Sequence, residues 1–347
     1  MKSLNVDISK CSYKVMIGTG GIGSGKFFRL NGNHTLGREE SRSGYILDRN
    51  DYCKLHIISH YVKYLLGDDF TVVPIGNIGN DDVGIRLLQE MNEIGLITSY
   101  VKTETNKPTL FSFCFLYPDN SGGNMTTDNS ASSAVDECSV MNAKIEFTNY
   151  AGKGIVLAAP EVPLKAREEL LKYGTHHNFY RVASFTSEEM ESVMNSLILK
   201  DVDLLAINLD EAAHAANLDP EKTDPMTIVN KSMAAFRRIN PNIIISITHG
   251  KSGSWILNDL DISHLPSLDL DVINTAGAGD AFLSGLIAGI VAGLSLKESQ
   301  QLGTLVGGAS VTSPHTINKE IDRKILNELA KKALFTISKN IHTLLEV

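Results

Sequence analysis

The stretch Asn274-Thr275-Ala276-Gly277-Ala278-Gly279-Asp280-Ala281-Phe282 decides the fold, because a tight loop of small residues here leads into a long apolar helix. Beyond this loop, Gly285, Gly289 and Gly293 are spaced by four, so they align on one helix face and let a neighbouring element approach closely. Large apolar residues recur with gaps of one and three, the period of a helix: Phe282, Leu283, Leu286, Ile287, Ile290, Val291 and Leu294. We therefore expect a buried helix, preceded by a strand over residues 268–273.

This loop and helix start have the features of an anion-binding site. The free N–H groups of a first helical turn point outward, and the helix dipole adds roughly half a positive charge there. Gly277, Ala278 and Gly279 leave room for a negatively charged ligand. Asp280 alone would be a helix-capping carboxylate, but beside a bound phosphate it can accept the proton of a hydroxyl that attacks phosphorus. The pattern predicts phosphoryl transfer with Asp280 as general base.

The rest of the chain alternates short apolar runs with helical patterns. The runs cover residues 15–17, 71–73, 155–157, 204–207 and 243–245, and the helical patterns cover 82–94, 188–199, 225–238 and 322–335. Continuous apolarity is typical of strands that are covered on both faces. We expect an α/β fold with three layers, α/β/α, around a mostly parallel sheet, in a single domain over residues 1–347. Residues 27–51 and 103–134 fit this rhythm poorly, and we expect them to form a small β lid.

The composition is that of an ordinary globular protein, with 43% hydrophobic and 21% charged residues. Forty acidic against 32 basic side chains give a net charge of -8, so nucleic acid is not an expected partner. The four cysteines, Cys11, Cys53, Cys114 and Cys138, lie far apart, which favours reduced, intracellular thiols. The N-terminus lacks an apolar leader, and the uncharged apolar stretch 281–296 is too short to span a bilayer. We expect a cytoplasmic protein with no membrane partner.

A second glycine-rich stretch near the N-terminus matches two other motifs. Residues 18–23 satisfy GxGxxG, and residues 20–26 satisfy GxxxxGK. Both motifs need a helix next, but the chain turns at Asn31-Gly32, and Phe27 stands where a P-loop has Ser or Thr. These departures count against both motifs, and a dinucleotide-dependent oxidoreductase is kept only as an alternative hypothesis. The other interpretation is a strand end where the backbone approaches a ligand or where the lid begins.

A possible metal site lies in the next predicted helix. Cys53, His56 and His60 are spaced at i, i+3 and i+7 on one helical face, which could ligate zinc. No Glu follows His56 to complete an HExxH motif. We favour a partly buried polar face or a contact with the substrate over a metal.

Residues 274–282, NTAGAGDAF, resemble the C-terminal signature of the ribokinase-like (PfkB) carbohydrate kinases, which is close to DTxGAGDAF. The similarity continues through most of the chain. The matching segments are 79–84 for the family's GxDxxG, Glu161-Val162-Pro163 for its Glu beside the sugar site, Asn208-Leu209-Asp210-Glu211 for its NxxE, and residues 248–253 for its TxGxxG nucleotide loop.

The resemblance implies an ATP-dependent kinase that transfers the γ-phosphoryl group to a hydroxyl of a sugar or sugar-like molecule. It implies Asp280 as catalytic base, an anion hole from the amides of Gly277, Ala278 and Gly279, and Mg²⁺ held by Asn208 and Glu211. The residues we expect at the nucleotide are Thr248, Gly250, Lys251, Gly253 and Thr275, and those we expect at the acceptor are Glu161, Asp51, Asn50 and Gly20. A nucleoside kinase and a non-catalytic nucleotide or sugar-phosphate sensor are the alternatives, and the family analogy also suggests a homodimer through the lid.

The sequence departs from the family pattern near the acceptor. Asn274 replaces an Asp that often helps to bind a monovalent cation, which argues against potassium activation. The N-terminal Gly-Gly pair and the downstream Asn that grip sugar hydroxyls are missing, and the equivalent region is residues 48–56. We infer that phosphate handling is retained while the acceptor pocket has been rebuilt.

Overall fold

The structure of the chain is a computed structural model, and it describes residues 2–119, 122–259 and 261–346. Its strands are, in chain order, β1 (Val15–Thr19), β2 (Gly23–Leu30), β3 (Gly44–Tyr52), β4 (Thr71–Gly79), β5 (Val101–Glu104), β6 (Leu110–Leu116), β7 (Gly122–Thr126), β8 (Gly154–Ala158), β9 (Tyr180–Ala183), β10 (Leu204–Asn208), β11 (Ile244–Thr248), β12 (Ser254–Asn258) and β13 (Asp261–Leu265). Its helices are α1 (Lys54–Leu66), α2 (Asp82–Glu93), α3 (Glu137–Met141), α4 (Lys144–Asn149), α5 (Leu164–His176), α6 (Met190–Met194), α7 (Leu209–Ala215), α8 (Pro225–Ile239), α9 (Ala278–Val291), α10 (Leu296–Val311), α11 (Arg323–Lys332) and α12 (Lys339–Leu345).

One large sheet forms the centre of the fold, with the strand order β13-β12-β11-β10-β9-β8-β1-β4-β5. Its ladders are parallel, except for the antiparallel pairs β11–β12 and β12–β13 at one edge. Every residue of β1 and β8 is buried, because helices cover both faces of these strands. Helices α1, α2 and α9 to α12 pack on one face, and α3 to α8 on the other. The predicted three-layer α/β fold with a mostly parallel sheet is confirmed.

Helix α9 is the buried helix that the sequence predicts. A Cβ atom added at Gly285 would lie 2.8 Å from the Cα atom of Gly303, and one added at Gly289 would lie 2.8 Å from the Cα atom of Ser299. Both contacts are with α10, so the glycines let the two helix backbones approach closely. Gly293 instead lies beyond the end of α9, with a φ of +77°. The close packing fixes the direction and depth of α9 beneath the sheet.

A second sheet forms the lid, with the strand order β3-β2-β6-β7 in the part of the chain that the structure describes. The observed ends differ from the predicted ones: β2 begins at Gly23, and β3 continues to Tyr52. Strand β5 lies at the start of the second predicted lid segment, but it pairs with β4 at the edge of the large sheet. The lid follows β1 and leads directly into α1, so it is attached at the carboxyl ends of the parallel strands.

One predicted strand is absent, and one predicted helix is shorter than expected. Residues 268–273 are not a strand, because the antiparallel β12–β13 hairpin already occupies this edge of the sheet, and the amide of Ile273 donates instead to the carbonyl of Val311 at the end of α10. The helix predicted over 188–199 is reduced to α6, with 3-10 turns on either side.

The glycines of residues 18–23 serve close packing. A Cβ atom at Gly18 would lie 2.8 Å from Leu55 Cδ1, and one at Gly20 would lie 2.7 Å from Ala159 Cβ. The chain then continues as β2 and not as a helix. The dinucleotide-binding and P-loop interpretations are therefore wrong, since both depend on a helix N-terminus to hold phosphate. Among the residues that the structure describes, no helix is long and apolar enough to cross a membrane.

His56 and His60 are fully buried on α1. Their rings lie between Tyr52 and Tyr64, and the structure gives no hydrogen-bond partner to any of their four nitrogens among the described residues. No group of three or more His, Cys, Asp or Glu side chains in residues 2–119, 122–259 and 261–346 could hold a metal. The zinc hypothesis for Cys53, His56 and His60 is therefore wrong.

These imidazoles predict a loss of stability in acid. Burial lowers the pKa of His56 from 6.5 to about 4, against the attraction of Glu90, and also lowers the pKa of His60 well below its usual value. The unfolded chain therefore binds protons that the folded chain excludes, and stability falls as the pH drops from 6.5 towards 4. A shift of this size corresponds to about 3 kcal/mol for His56.

We expect the double variant His56→Leu, His60→Leu to show a weaker pH dependence of the free energy of unfolding than the wild type. Urea unfolding at pH 7.5 and pH 5 measures both proteins. An equal loss of stability in the two proteins on acidification would contradict the assignment to these side chains.

Candidate active site

The N-terminus of α9 is open at the carboxyl edge of the sheet. Thr275 to Ala278 form a type II turn, in which Gly277 has a φ of +77° and the amide of Ala278 donates to the carbonyl of Thr275. Gly279 is exposed, and a Cβ atom there would meet only Thr248 Oγ1, at 3.9 Å. The amides of Gly277 and Gly279 donate to no acceptor in the described residues. The first turn of α9 is therefore free to bind an anion, with the Ala278 amide engaged in the turn itself.

The Asp280 carboxylate lies beside this open turn. Its side chain is 15% exposed, and its Oδ1 atom is 3.8 Å from the Nζ atom of Lys54, the first residue of α1. Burial raises the pKa of Asp280, and the Lys54 ammonium opposes that shift. Asp280 is thus partly accessible and lies next to a cation, which favours its ionised form.

Glu161 interacts with the same lysine. It follows β8 and has a φ of +73°, which is strained for a residue other than glycine. Its Oε2 atom accepts a hydrogen bond of 3.1 Å from the main-chain amide of Lys54. Burial raises the pKa of Glu161 to about 7. The strained backbone therefore places a carboxyl group at the start of α1, within reach of the Lys54 charge.

Asn208 and Glu211 cap α7 at the end of β10. The Oδ1 atom of Asn208 accepts from the amide of Glu211, and the Oε2 atom of Glu211 accepts from the amide of Asn208, both at 2.8 Å. Burial raises the pKa of Glu211 to about 7, against the attraction of Lys54. Oxygen donors suit Mg²⁺, and the second carboxyl oxygen of Glu211 takes no part in this capping box. The residues therefore fit a hydrated magnesium ion better than a closed protein cage.

The predicted nucleotide loop follows the neighbouring strand. Thr248 ends β11, opposite Asn208 in the parallel ladder, and lies close to Gly279. Gly253 has a φ of +87°, and a Cβ atom there would lie 2.0 Å from the carbonyl oxygen of Leu265, so no other residue fits. Gly250 also has a positive φ, and Lys251 is exposed. The structure brings this loop to the same edge as the α9 turn, in which Thr275 is exposed.

The four predicted acceptor residues lie in different environments. Asp51 is buried on the inner face of β3, where burial raises its pKa, and the Cys114 thiol donates to it at 3.6 Å. Asn50 is exposed, and its main-chain amide donates to the His315 ring. Glu161 lies at the site, whereas Gly20 is buried under α1 and is glycine for packing reasons. Contact of these residues with the acceptor stays a prediction.

Sequence reasoning missed several polar residues near the site. Ser112 and Cys114 lie on the same inner lid face as Asp51, and the Ser112 hydroxyl donates to Asn124 Oδ1 at 2.7 Å. The alternation of residues 110–115 was the signal, because it separates these polar side chains from the phenylalanines between them. Lys54 was missed because its partners are remote in sequence.

The fold and site define a ribokinase-like α/β protein. The chain belongs to the pfkB family of carbohydrate kinases, whose family model matches residues 58–323. It is therefore a phosphotransferase with an alcohol group as acceptor, as the resemblance of residues 274–282 predicts. Its sequence is 26% identical over 294 residues to the 2-dehydro-3-deoxygluconokinase of Bacillus subtilis (strain 168), over 76% of this chain and 86% of the relative.

Solved structures show the same fold. A ribokinase from Cryptococcus neoformans var. grubii serotype A in complex with ADP superposes with a TM-score of 0.73 and 19% identity, covering 92% of this chain and 99% of that one. A nucleoside kinase from Burkholderia thailandensis in complex with inosine gives a TM-score of 0.71 and 16% identity, with the same coverage. The predicted fold class is confirmed by both.

The packing of Gly21 against Glu161 gives a testable prediction. In the variant Gly21→Ala, the new Cβ atom would lie 2.3 Å from Glu161 Oε2 and 2.8 Å from Leu110 Cδ2. We expect a loss of about 1–3 kcal/mol in the free energy of unfolding, measured with urea. The control is Gly37→Ala, whose Cβ atom would lie 3.4 Å from its nearest neighbour and should cost less than about 0.5 kcal/mol. Equal midpoints for the two variants would contradict this account.

Proposed function

We propose that this chain transfers the γ-phosphoryl group of ATP to a hydroxyl of a sugar or sugar-like molecule, with Asp280 as general base. The observation that carries the proposal is the free first turn of α9, with the partly exposed Asp280 carboxylate beside it. A binding protein would need the anion site but not an accessible carboxylate next to it. This feature favours an enzyme over a sensor.

The chain's own residues account for the main steps. The Gly277 and Gly279 amides bind the migrating phosphoryl group, helped by the positive end of α9. Asp280 accepts the proton of the acceptor hydroxyl as the oxygen attacks phosphorus in line. Thr248, Gly250 and Gly253 bind the nucleotide at the next strand end.

The metal and the nucleotide loop complete this account. Asn208 and Glu211 would hold Mg²⁺ through water, and the ion would neutralise charge on the nucleotide phosphates when bound. Lys251 in the nucleotide loop and Thr275 in the α9 turn are both exposed and would contact phosphate oxygens. A cytoplasmic location, and the lack of nucleic-acid and membrane partners, stay predictions.

Replacing the base tests the chemistry. In Asp280→Asn, the proton acceptor is lost while the amides of the α9 turn remain. We expect kcat to fall by about 10²–10⁴, with ADP affinity unchanged within about threefold. A coupled assay for ADP release over a panel of sugars, polyols and nucleosides gives kcat, and isothermal titration gives ADP affinity.

Two outcomes would sink this assignment. Wild-type turnover in Asp280→Asn would show that another group is the base. Binding of ADP without turnover of any acceptor in the panel would favour the sensor. A preference for nucleosides over sugars would retain the chemistry and change the acceptor class.

We also propose that the protein forms a homodimer through the lid. The outer face of the lid sheet is largely apolar, with the exposed Lys26 among the apolar side chains: it carries Phe28, Ile46, Phe111, Phe113, Phe115 and Met125. Ile46 is 62% exposed and Met125 is 56% exposed, on the two edge strands of this face. A second copy of the chain would cover this patch with the same side chains, as a twofold interface requires.

Charged substitutions on the lid should therefore separate the protomers. We expect the double variant Ile46→Lys, Phe111→Lys to shift the mass in light scattering from dimer to monomer, because each lysine would be buried at the interface. Leu334→Lys is the control, since Leu334 is 75% exposed outside the lid and should leave the mass unchanged. A wild-type monomer at micromolar concentration would refute the dimer.

A further inference from the structure

Lys54 occupies a position that local helix energetics disfavour. It is the first residue of α1, where the helix dipole is positive and a cation gains nothing from it. Its side chain is 33% exposed, and its Nζ atom lies 3.8 Å from Asp280 Oδ1. The carboxylates of Asp280, Glu211 and Glu161 raise the pKa of Lys54, with Asp280 first in effect. The lysine therefore stays charged because of the site and not because of its own helix.

The site needs this charge. Asp51, Glu161, Glu211 and Asp280 interact electrostatically across the edge where a phosphoryl group, itself an anion, has to be transferred. Repulsion and burial both favour protonation of these carboxyl groups. A protonated Asp280 cannot accept the hydroxyl proton. A cation placed against Asp280 offsets this effect at the atom where it matters.

We propose that Lys54 is a positioning residue for Asp280. The ammonium group of Lys54 holds the Asp280 carboxylate ionised and in place beside the open turn of α9. This inference rests on the proposed function. Lys54 belongs to residues 48–56, the segment in which the acceptor-gripping residues of the family are missing. The rebuilt segment would thus place a positive charge beside the base, Asp280, and would also line the acceptor pocket.

The transfer balances with Lys54 unchanged. The acceptor oxygen forms a bond to the γ-phosphorus as the bond from that phosphorus to the leaving ADP oxygen breaks. The hydroxyl proton passes to Asp280, and Lys54 keeps all three of its protons. The ammonium then faces a neutral carboxylic acid until that proton leaves to solvent, which favours return of Asp280 to its ionised form.

A pH profile separates this role from a structural one. The groups that face Asp280 are Lys54 and Tyr61 on α1, Asp51 on β3, Glu161 after β8 and Glu211 on α7. Lys54 is the cation among them, so its removal should raise the pKa of Asp280. An opposite charge at this distance usually lowers the pKa of a carboxyl group by about 1–3.

The experiment compares Lys54→Gln, Lys54→Arg and the wild type from pH 5.5 to 9.5, with an acceptor that the wild type uses. In Lys54→Gln, we expect the acid limb of kcat to move up by about one to three units. On the acid side of the limb, kcat should fall about 10-fold for each unit that the limb moves, with recovery towards pH 9 and KM for ATP within about threefold. Lys54→Arg keeps the charge and should retain the wild-type acid limb.

Lys63→Met is the matched control. Lys63 is a buried lysine on the same helix, and its ammonium donates to the carbonyls of Asp68 and Phe70, away from the site. Its loss should lower the melting temperature without moving the acid limb. ADP binding by each variant, measured by isothermal titration, shows that the site is folded.

The outcomes distinguish a failure of the role of Lys54 from a failure of the proposed function. An unshifted acid limb in Lys54→Gln, with kcat reduced equally at every pH, would overturn the role of Lys54. If Lys54→Gln does not fold, a shifted limb in Lys54→Arg would overturn it, because the charge is retained there. Full activity of Asp280→Asn would instead overturn the proposed function itself.

Discussion

The close packing of α9 against α10 is the constraint on which the site depends. Gly285 and Gly289 remove the side chains that would hold the two backbones apart, and Gly303 does so from the side of α10. Helix α9 can therefore lie buried with only its first turn open. A helix fixed in this way presents its free amides at a constant position, so its positive end works as a preorganised anion site and needs no rearrangement.

Charge compensation is the second organising feature of this edge. Phosphoryl transfer brings an anion into a region that already contains several buried carboxyl groups, and each of them costs free energy unless it is paired or protonated. Two positive groups compensate for this negative charge: the N-terminal end of the α9 dipole and the Lys54 ammonium. Burial raises the pKa of Glu161 and that of Glu211 to about 7, against the attraction of Lys54.

The lid combines two surfaces of opposite character. Its inner face carries Asp51, Ser112, Cys114 and Asn124 over the site, in an arrangement suited to hydroxyl groups. Its outer face carries mainly aromatic and aliphatic side chains, with the exposed Lys26 among them. Strict alternation along β6 produces both faces from seven residues, since successive side chains point to opposite sides of a sheet.

The sequence by itself determined the α/β class, the buried helix and its loop, because hydrophobic period and small-residue spacing are local properties. It also placed the strand ends that carry Asn208 and Thr248 at one edge, since parallel strands share their direction. The strand predicted over residues 268–273 is absent, because apolar character alone does not provide a neighbouring strand with which to pair. Only the tertiary structure brought Lys54 to Asp280 and Cys114 to Asp51, because these contacts join segments far apart in the chain, and no local pattern encodes the distance between them.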